Sequence, residues 1–400
     1  MNRKHNLRWA AVGAIAGVSA APMCHRARGK AYPGGMNLTA VESLVEKGIV
    51  DGLFPGAAYA VWHDGKWTKR YHGRFTYCPD DPKVDDRSRW DLASLSKVVA
   101  TTSVAMRMFE RGDYALDETI ATVLPAFVAN GKEAVTFRNL LLHDAGLIPD
   151  LPGRLIQTDA ETVRRETLAQ PLRTAPGEKM VYSDLGMISL ALALSEKAGK
   201  EFAVLVTDEV FRPLGMRDTG YSPWAKGERE RCPMTSIVEP WRRDIRRVRL
   251  GNFGAARVFG EEPTYIQGEV HDPTAMVLSG VAGHAGVFAT LDDLTRFVQA
   301  LMEGRIAKPE TVTLFTTRAS DKSSRALGWD TKSESSSAGT LFGPRSFGHT
   351  GYTGTSIWVD PDAKLAAVLL TNRVHPNDAV SLAKFRPAFH DALWQAAFPV

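Results

Sequence analysis

Ser94-Leu95-Ser96-Lys97, at the head of an apolar run with helical spacing, is the stretch whose reading decides the fold. From Leu92 onward Leu95, Val98, Val99, Met106 and Phe109 recur near a 3.6-residue period, and Gly112 marks the end of the predicted helix. Ser94 and Lys97 are three apart, so their side chains share one face of the first turn, with Cβ atoms about 5–6 Å apart. A serine hydroxyl is a weak nucleophile until a neighbouring base removes its proton. A lysine amine does this when a helix N-terminus or a nearby cation lowers its pKa. Alone the pair says little, because about one or two such spacings arise by chance in a chain of this length. Ser381 and Lys384 repeat it in a predicted C-terminal helix over residues 378–398.

Two distant stretches supply context. Pro176-Gly177-Glu178 is a turn, and a short run leads from it to Tyr182-Ser183-Asp184, directly before a predicted helix over residues 185–198. A tyrosine hydroxyl beside a lysine ammonium can be held partly as phenolate and serve as a general base. Read alone, the same stretch is a buried tyrosine with Asp184 as helix cap. His349-Thr350-Gly351-Tyr352 lies on a predicted strand that meets a turn at Gly354. Gly351 permits close backbone approach, and the Tyr352 N–H can act with the Ser94 N–H as an oxyanion hole.

The elements around these stretches give the fold class. Residues 55–61 and 66–71 read as strands joined by the hairpin pair Asp64-Gly65. Residues 347–350, 355–360 and 365–372 read as strands separated by Gly or by Pro361-Asp362. Thr136 caps a short helix ending at Leu142, and Thr290 caps a helix running to Glu303. Strands at both chain ends with helices between imply an α/β (α+β) fold. One antiparallel sheet is built from both termini and flanked by helices, with an inserted, mostly helical lobe. The expected division is an α/β domain from residues 37–114 and 270–400, and a helical domain from residues 115–269. The latter carries an irregular insertion at 222–268.

Composition excludes several classes. With 44% hydrophobic residues among 400, the chain has ample surface to bury and is no disordered chain. No apolar run reaches the ~20 residues of a spanning helix. Three cysteines exclude a disulfide scaffold and a multi-cysteine metal site, and leave open whether Cys78 and Cys232 pair. The net charge of +4 is misleading: Arg3, Lys4, Arg8, Arg26, Arg28 and Lys30 are unmatched by any acid in the first 30 residues, and without them the charge is −2. A near-neutral body has no general pull on nucleic acid.

Residues 1–30 have the layout of a secretory signal peptide. The basic head is Arg3, Lys4 and Arg8, the core from Trp9 to Met23 is uncharged, and Val18, Ser19 and Ala20 suit a signal peptidase. Cys24 hints at lipidation, but Pro22 and Met23 are poor for a lipoprotein cleavage site. A lipid anchor and an uncleaved membrane anchor are the alternatives. The expectation is an exported protein, periplasmic or extracellular.

Order and spacing of the three stretches carry the specificity: S-x-x-K, Y-x-[ND] about 85 residues later, and [KH]-T-G near the C-terminus. The chain thereby resembles the serine β-lactamase and penicillin-binding-protein superfamily, in its class C-like branch of β-lactamases, D-peptidases and related esterases. Leu140–Leu147, Pro213-Leu214-Gly215-Met216 and Gly280–Phe288 extend the resemblance from about residue 40 to the C-terminus. The resemblance implies Ser94 as acylated nucleophile and Lys97 and Tyr182 as its proton shuttle. It implies Ser94 and Tyr352 as backbone oxyanion hole, and Asp184, His349, Thr350 and Gly351 along the substrate. It implies no cofactor and no metal. The expected partner is a small-molecule or peptide substrate, with no nucleic acid, a peripheral membrane or cell-wall association, and a monomeric state. The implied activity is that of a serine hydrolase acting on a β-lactam or D-alanyl-type amide. The alternatives are a carboxylesterase and a penicillin-binding sensor without turnover.

Two departures stand out. Asp184 replaces the asparagine of many relatives, cannot donate when ionised, and favours a charged Lys97, which moves the base role towards Tyr182. His349 replaces a lysine and brings no fixed charge at neutral pH. His143 reads as a structural hydrogen-bonding residue, and His271-Asp272 and His284 lack compact metal-ligand spacing, although His284 can border the pocket. The basic run Arg242, Arg243, Arg246, Arg247 and Arg249 beside Trp241 is interrupted by Asp244, preceded by Glu239, and reads as a solvated loop.

Overall fold

The computed structural model describes residues 36–246 and 264–399, which belong to one compact unit. Its strands are β1 (Gly56–His63), β2 (Lys66–Gly73), β3 (Trp90–Asp91), β4 (Gly220–Tyr221), β5 (Val287–Ala289), β6 (Asp330–Thr331), β7 (Phe347–Thr350), β8 (Ser356–Asp360) and β9 (Leu365–Thr371). Six of them form one antiparallel sheet in the order β2-β1-β9-β8-β7-β6, so strands from both ends of the chain meet at β1 and β9. Asp64 and Gly65 both have positive φ, 51° and 75°, and close the β1–β2 hairpin as read from sequence.

The sheet is covered on both faces, which explains why β9 is a continuous apolar run. Ala57, Tyr59, Val61, Leu365, Ala367 and Leu369 pack under the terminal helices Thr39–Val50 and Phe385–Ala397. The alternate set, Ala58, Ala60, Ala366, Val368 and Leu370, joins the large core shared with the central helices. A one-residue slip would exchange the two sets, so burial fixes the register.

β3, β4 and β5 form a second, three-stranded sheet that sequence reading did not anticipate. Each has two or three residues, too few for a periodic signal. The C-terminal helix starts at Phe385, not near 378, so Ser381 and Lys384 precede it. The segment before it is held as loop because Arg373 donates to the carbonyls of Asp378 and Val380. The run after Ser94 is π-helical over Lys97–Thr102 before the α-helix Ser103–Arg111, which ends at a left-handed Gly112. Ser183, not Asp184, caps the helix Asp184–Ala198 by accepting from the Gly186 N–H at 3.2 Å.

Arg242 and Arg246 are buried, which corrects the solvated-loop expectation. A desolvated guanidinium needs partners, and these have them. Arg242 bonds Glu239 and the carbonyls of Val270 and His271, and Arg246 pairs with buried Glu269. Arg247 and Arg249 lie outside the described residues, as do the signal-peptide stretch and Cys24. Cys78 is an exposed and Cys232 a buried free thiol. Among the described residues no helix is long and apolar enough to cross a membrane.

Candidate active site

The turn ahead of Ser94 is strained. Ala93 has φ +46°, uncommon for a residue with a Cβ, and is held there by its N–H donating to Asp91 Oδ1 at 2.9 Å. The other oxygen of Asp91 accepts the His271 N–H at 2.7 Å. Asp91 is fully enclosed, and burial pushes its carboxyl up to about 6. The turn leaves Ser94 half-buried with its side chain on the cleft and Lys97 one turn deeper.

Lys97 is completely buried and sits among four oxygens. Its Nζ donates to Ser94 Oγ at 2.9 Å and to the His284 carbonyl at 3.2 Å, lies 2.7 Å from Asp184 Oδ1, and meets the Tyr182 hydroxyl. It also lies 4.8 Å from the centre of the Tyr182 ring. Burial works against the ammonium, but the Asp184 carboxylate and Tyr182 outweigh it and raise its pKa above the ordinary lysine value. These partners favour the charged lysine that Asp184 led the sequence reading to expect. Lys97 is a cation that donates to Ser94, and the Ser94 proton is left free for another acceptor.

Tyr182 is placed by the turn after the helix Phe137–Leu142. His143, in the left-handed conformation (φ +57°), accepts the Val181 N–H at its carbonyl (2.8 Å) and the Ser183 N–H at Nδ1 (3.1 Å). Its ring packs 4.5 Å from that of Tyr182. A ring nitrogen that accepts is unprotonated, and burial together with Arg325 and Lys97 holds the His143 pKa well below its ordinary value. The structural reading of His143 thus holds, with Tyr182 as what it positions.

Asp272, His284 and Asp184 bring ligand-type atoms within 4.8 Å of one another. The cation they face is the Lys97 ammonium. His284 is buried, its Nε2 lies 2.9 Å from Asp272 Oδ1, and its pKa is raised because Asp272 and Asp184 outweigh burial. The close packing that puts its carbonyl on Lys97 depends on Gly283, where a Cβ would collide with the Met187 carbonyl and Ala191.

β7 ends against the nucleophile turn. A Cβ on Gly351 would collide with Thr355 Oγ1 and the Leu92 carbonyl, so only glycine allows this approach. Thr353 and Thr355 hydroxyls donate to the carbonyls of Asp91 (2.7 Å) and Leu92 (3.0 Å) and fasten the two segments. Among the described residues neither the Ser94 N–H nor the Tyr352 N–H has a protein acceptor. His349 is buried, and its Nδ1 is 2.8 Å from the Thr350 carbonyl, which makes it the protonated nitrogen. Burial, Arg325 and Lys97 keep its pKa well below the ordinary value, so it brings no charge.

Every residue read from the three motifs thus comes together. Ser94, Tyr182 and Tyr352 line both a chamber of about 390 Å³ and a larger one of about 820 Å³. The smaller holds His349, Thr350, Gly351 and three arginines, Arg325, Arg373 and Arg386. The larger holds Asp184, Asp150, Asp272 and His271. Sequence reading missed the arginines and Asp150, which come from separate loops and helices with no shared spacing.

Comparison with known proteins agrees with this geometry. The family described as Beta-lactamase matches residues 41–390. The chain is 29% identical over 372 residues to the N-acetylmuramyl-L-alanine amidase of Bacillus subtilis (strain 168), covering 84% of this chain and 81% of the relative. It is 28% identical over 316 residues to a protein of Escherichia coli (strain K12) named "Putative D-alanyl-D-alanine carboxypeptidase", covering 73% and 71%. The structure superposes on a class C beta-lactamase with TM-score 0.69 at 19% identity, covering 89% of this chain and 95% of the other, a likeness of fold. With the family match spanning nearly all the described residues and the motif residues meeting in one cleft, this chain belongs to the beta-lactamase family of serine hydrolases.

Proposed function

We propose that the protein is an exported hydrolase that forms an acyl-enzyme on Ser94 and cleaves D-alanyl-type or related cell-wall peptide amides. One observation carries the reading: the buried Lys97 ammonium bridges Ser94 Oγ and the Tyr182 hydroxyl while paired with Asp184. Two curated relatives, at 28–29% identity over more than seven-tenths of their length, carry names of peptidoglycan-type amide hydrolysis.

The chemistry follows from the positions. Ser94 Oγ attacks the amide carbonyl carbon. Its proton passes to the Tyr182 oxygen, whose ring centre lies 4.8 Å from Lys97 Nζ and 5.0 Å from the Arg325 guanidinium carbon. The developing oxyanion is held by the N–H groups of Ser94 and Tyr352. Collapse breaks the C–N bond, and Tyr182 passes the proton to the departing amine. A water molecule then attacks the Ser94 ester, gives its proton to Tyr182, and the acid leaves as Ser94 regains its hydrogen. Lys97 remains charged throughout and fixes the two oxygens. Asp184, His349, Thr350 and Gly351 border the substrate. The cleft lies where a sheet-bearing part, residues 37–114 and 270–400, meets a helical part, residues 115–269.

Export is supported by the basic, apolar and small-residue order of residues 1–30. The test is side-by-side turnover of N-acyl-D-alanyl-D-alanine peptides, nitrocefin and p-nitrophenyl esters. Peptide turnover that depends on Ser94 supports the reading. Turnover of esters alone assigns a carboxylesterase, and acylation without turnover assigns a penicillin-binding sensor.

A further inference from the structure

We propose that Arg386 is a positioning residue of the oxyanion hole: its guanidinium holds and polarises the Gly351–Tyr352 peptide, whose N–H is the donor that Tyr352 supplies. The inference rests on the Ser94 acyl-enzyme reading above and goes beyond it by giving a role to a residue outside the three motifs.

A peptide group is one conjugated unit, so a hydrogen bond accepted at its oxygen draws electrons from its nitrogen and makes its N–H a stronger donor. The Tyr352 N–H shares its peptide with the Gly351 carbonyl. That carbonyl accepts from Arg386 Nη2 at 2.6 Å and from the Gly354 N–H at 3.0 Å. A bond from a guanidinium is charge-assisted and roughly twice as strong as a neutral one. The Ser94 N–H shares its peptide with the Ala93 carbonyl, which accepts the neutral Ser96 N–H at 3.0 Å. The two arms of the oxyanion hole are therefore unequal, and the cation stands behind the arm from Tyr352.

The surroundings of Arg386 single out its charge. Arg386 is the second residue of the helix Phe385–Ala397, and its Nη2 also donates to the Thr355 carbonyl at 3.2 Å. The same Thr355 carbonyl accepts the Gly351 N–H at 2.8 Å, so one guanidinium nitrogen grips both ends of the turn after β7. Among the described residues no carboxylate pairs with Arg386, and its Nε is buried without an acceptor. Burial and Arg373 lower its pKa to about 10, which leaves it a cation at neutral pH. A charge kept from water without a counter-ion is costly, and a neutral amide would fasten the same turn at lower cost. The charge gains its use when negative charge develops on the far side of the peptide as Ser94 attacks. Arg373 has a different duty, because its Nε donates to the Tyr352 carbonyl at 2.6 Å, and that oxygen belongs to the next peptide along.

The experiment compares Arg386→Lys, which keeps a charged donor, with Arg386→Gln, which keeps only a neutral one, in the full chain. Each protein is acylated with p-nitrophenyl cinnamate, unlabelled and carbon-13-labelled at the carbonyl, and the infrared difference isolates the ester carbonyl on Ser94. Stronger hydrogen bonds to that oxygen lower its stretching frequency. Arg386→Gln should move the band to higher frequency and lower kcat about two- to eightfold, the effect of about 10–30% polarisation on a donor worth about 100- to 1000-fold. KM should stay within about twofold, because the gain belongs to the transition state. Arg386→Lys should lie nearer to wild type than Arg386→Gln in both band and kcat.

The band arises only from acylated, hence folded, protein, so a loss of stability in either variant leaves the reading intact. Equal bands and equal kcat in Arg386→Lys and Arg386→Gln would reduce Arg386 to a fastening of the turn and overturn the proposal. A loss confined to KM would make it a substrate contact and overturn the proposal as well. A band that is present in wild type and unmoved in Arg386→Gln overturns this inference alone. A wild type that gives no ester band overturns the Ser94 acyl-enzyme, and this inference with it.

Discussion

Lys97 Nζ lies 2.7 Å from Asp184 Oδ1 with the lysine fully buried, so the cation that touches Ser94 has its counter-ion in the motif that carries Tyr182. Removing one member of a buried pair leaves an uncompensated charge and costs about 3–5 kcal/mol. Lys97→Met should lower urea-unfolding stability by roughly that amount and abolish acylation. Asp184→Asn should weaken stability as well, because the asparagine oxygen still accepts from Lys97 but leaves the fully buried ammonium without its counter-charge. A Lys97→Met protein of unchanged stability would show that the pair is not the buried contact described.

Gly351 is the second place where one atom decides the site. Gly351→Ala forces β7 away from Leu92 and Thr355, which separates the Tyr352 N–H from the Ser94 turn. Overpacking of this kind costs about 1–3 kcal/mol. The expected kinetic effect is larger, about 100-fold in kcat at little change in KM, because the lost donor acts on the transition state. Wild-type kcat in Gly351→Ala would remove Tyr352 from the oxyanion assignment.

Asp91 and Asp150 each add a downward slope to the profile of stability against pH. Burial raises Asp91 to about 6, and burial together with Asp184 raises Asp150 to about 7, against about 4 for an ordinary carboxyl. Both bind a proton more tightly folded than unfolded, so their contribution is fullest below pH 4 and is lost as pH rises to 7. His284, also raised, adds stability that is present below its ordinary value and lost as pH rises through its folded value. Asp272 is shifted the opposite way by His284, and its contribution is lost only in strong acid. The buried histidines His72, His143, His271, His349, His375 and His390, all held below the ordinary value by burial, act the other way, so the test is a difference: the Tm of Asp150→Asn relative to wild type should rise from about pH 4 to pH 7. A difference that stays flat across this range would contradict the assignment.

His143 should behave as a positioning residue. His143→Ala deletes the acceptor of the Ser183 N–H and the ring that packs on Tyr182, at a cost of about 1–3 kcal/mol for the orphaned buried donor. kcat should fall about tenfold, with partial recovery in His143→Asn, whose side-chain oxygen can accept the same N–H. Because His143 and His349 are both neutral, neither contributes an inflection near pH 6.5 to the kcat/KM profile. An inflection there that disappears in His143→Ala would make it an acid or base instead.

The fold and the motif residues were readable for separate reasons. Strands such as β9 and the hairpin at Asp64-Gly65 announce themselves through composition and turn chemistry, and the helix cap at Thr136 through its residue type. Ser94, Lys97, Tyr182 and His349 stood out through order and spacing against a known family pattern. The sequence misled where a local rule has a tertiary competitor. The residues before Phe385 look helical but are held as loop by Arg373, and Arg242 looks solvated but is enclosed by carbonyls 28 and 29 residues away. Arg325 and Asp150 had no signal at all, because each acquires its meaning from neighbours distant in the chain.

Intact-protein mass spectrometry after brief exposure to a fluorophosphonate or a fluorescent penicillin tests the central claim most directly. A single adduct that maps to the peptide bearing Ser94, is absent from Ser94→Ala and persists in Ser381→Ala is the predicted result. An adduct of equal yield on Ser94→Ala would contradict it.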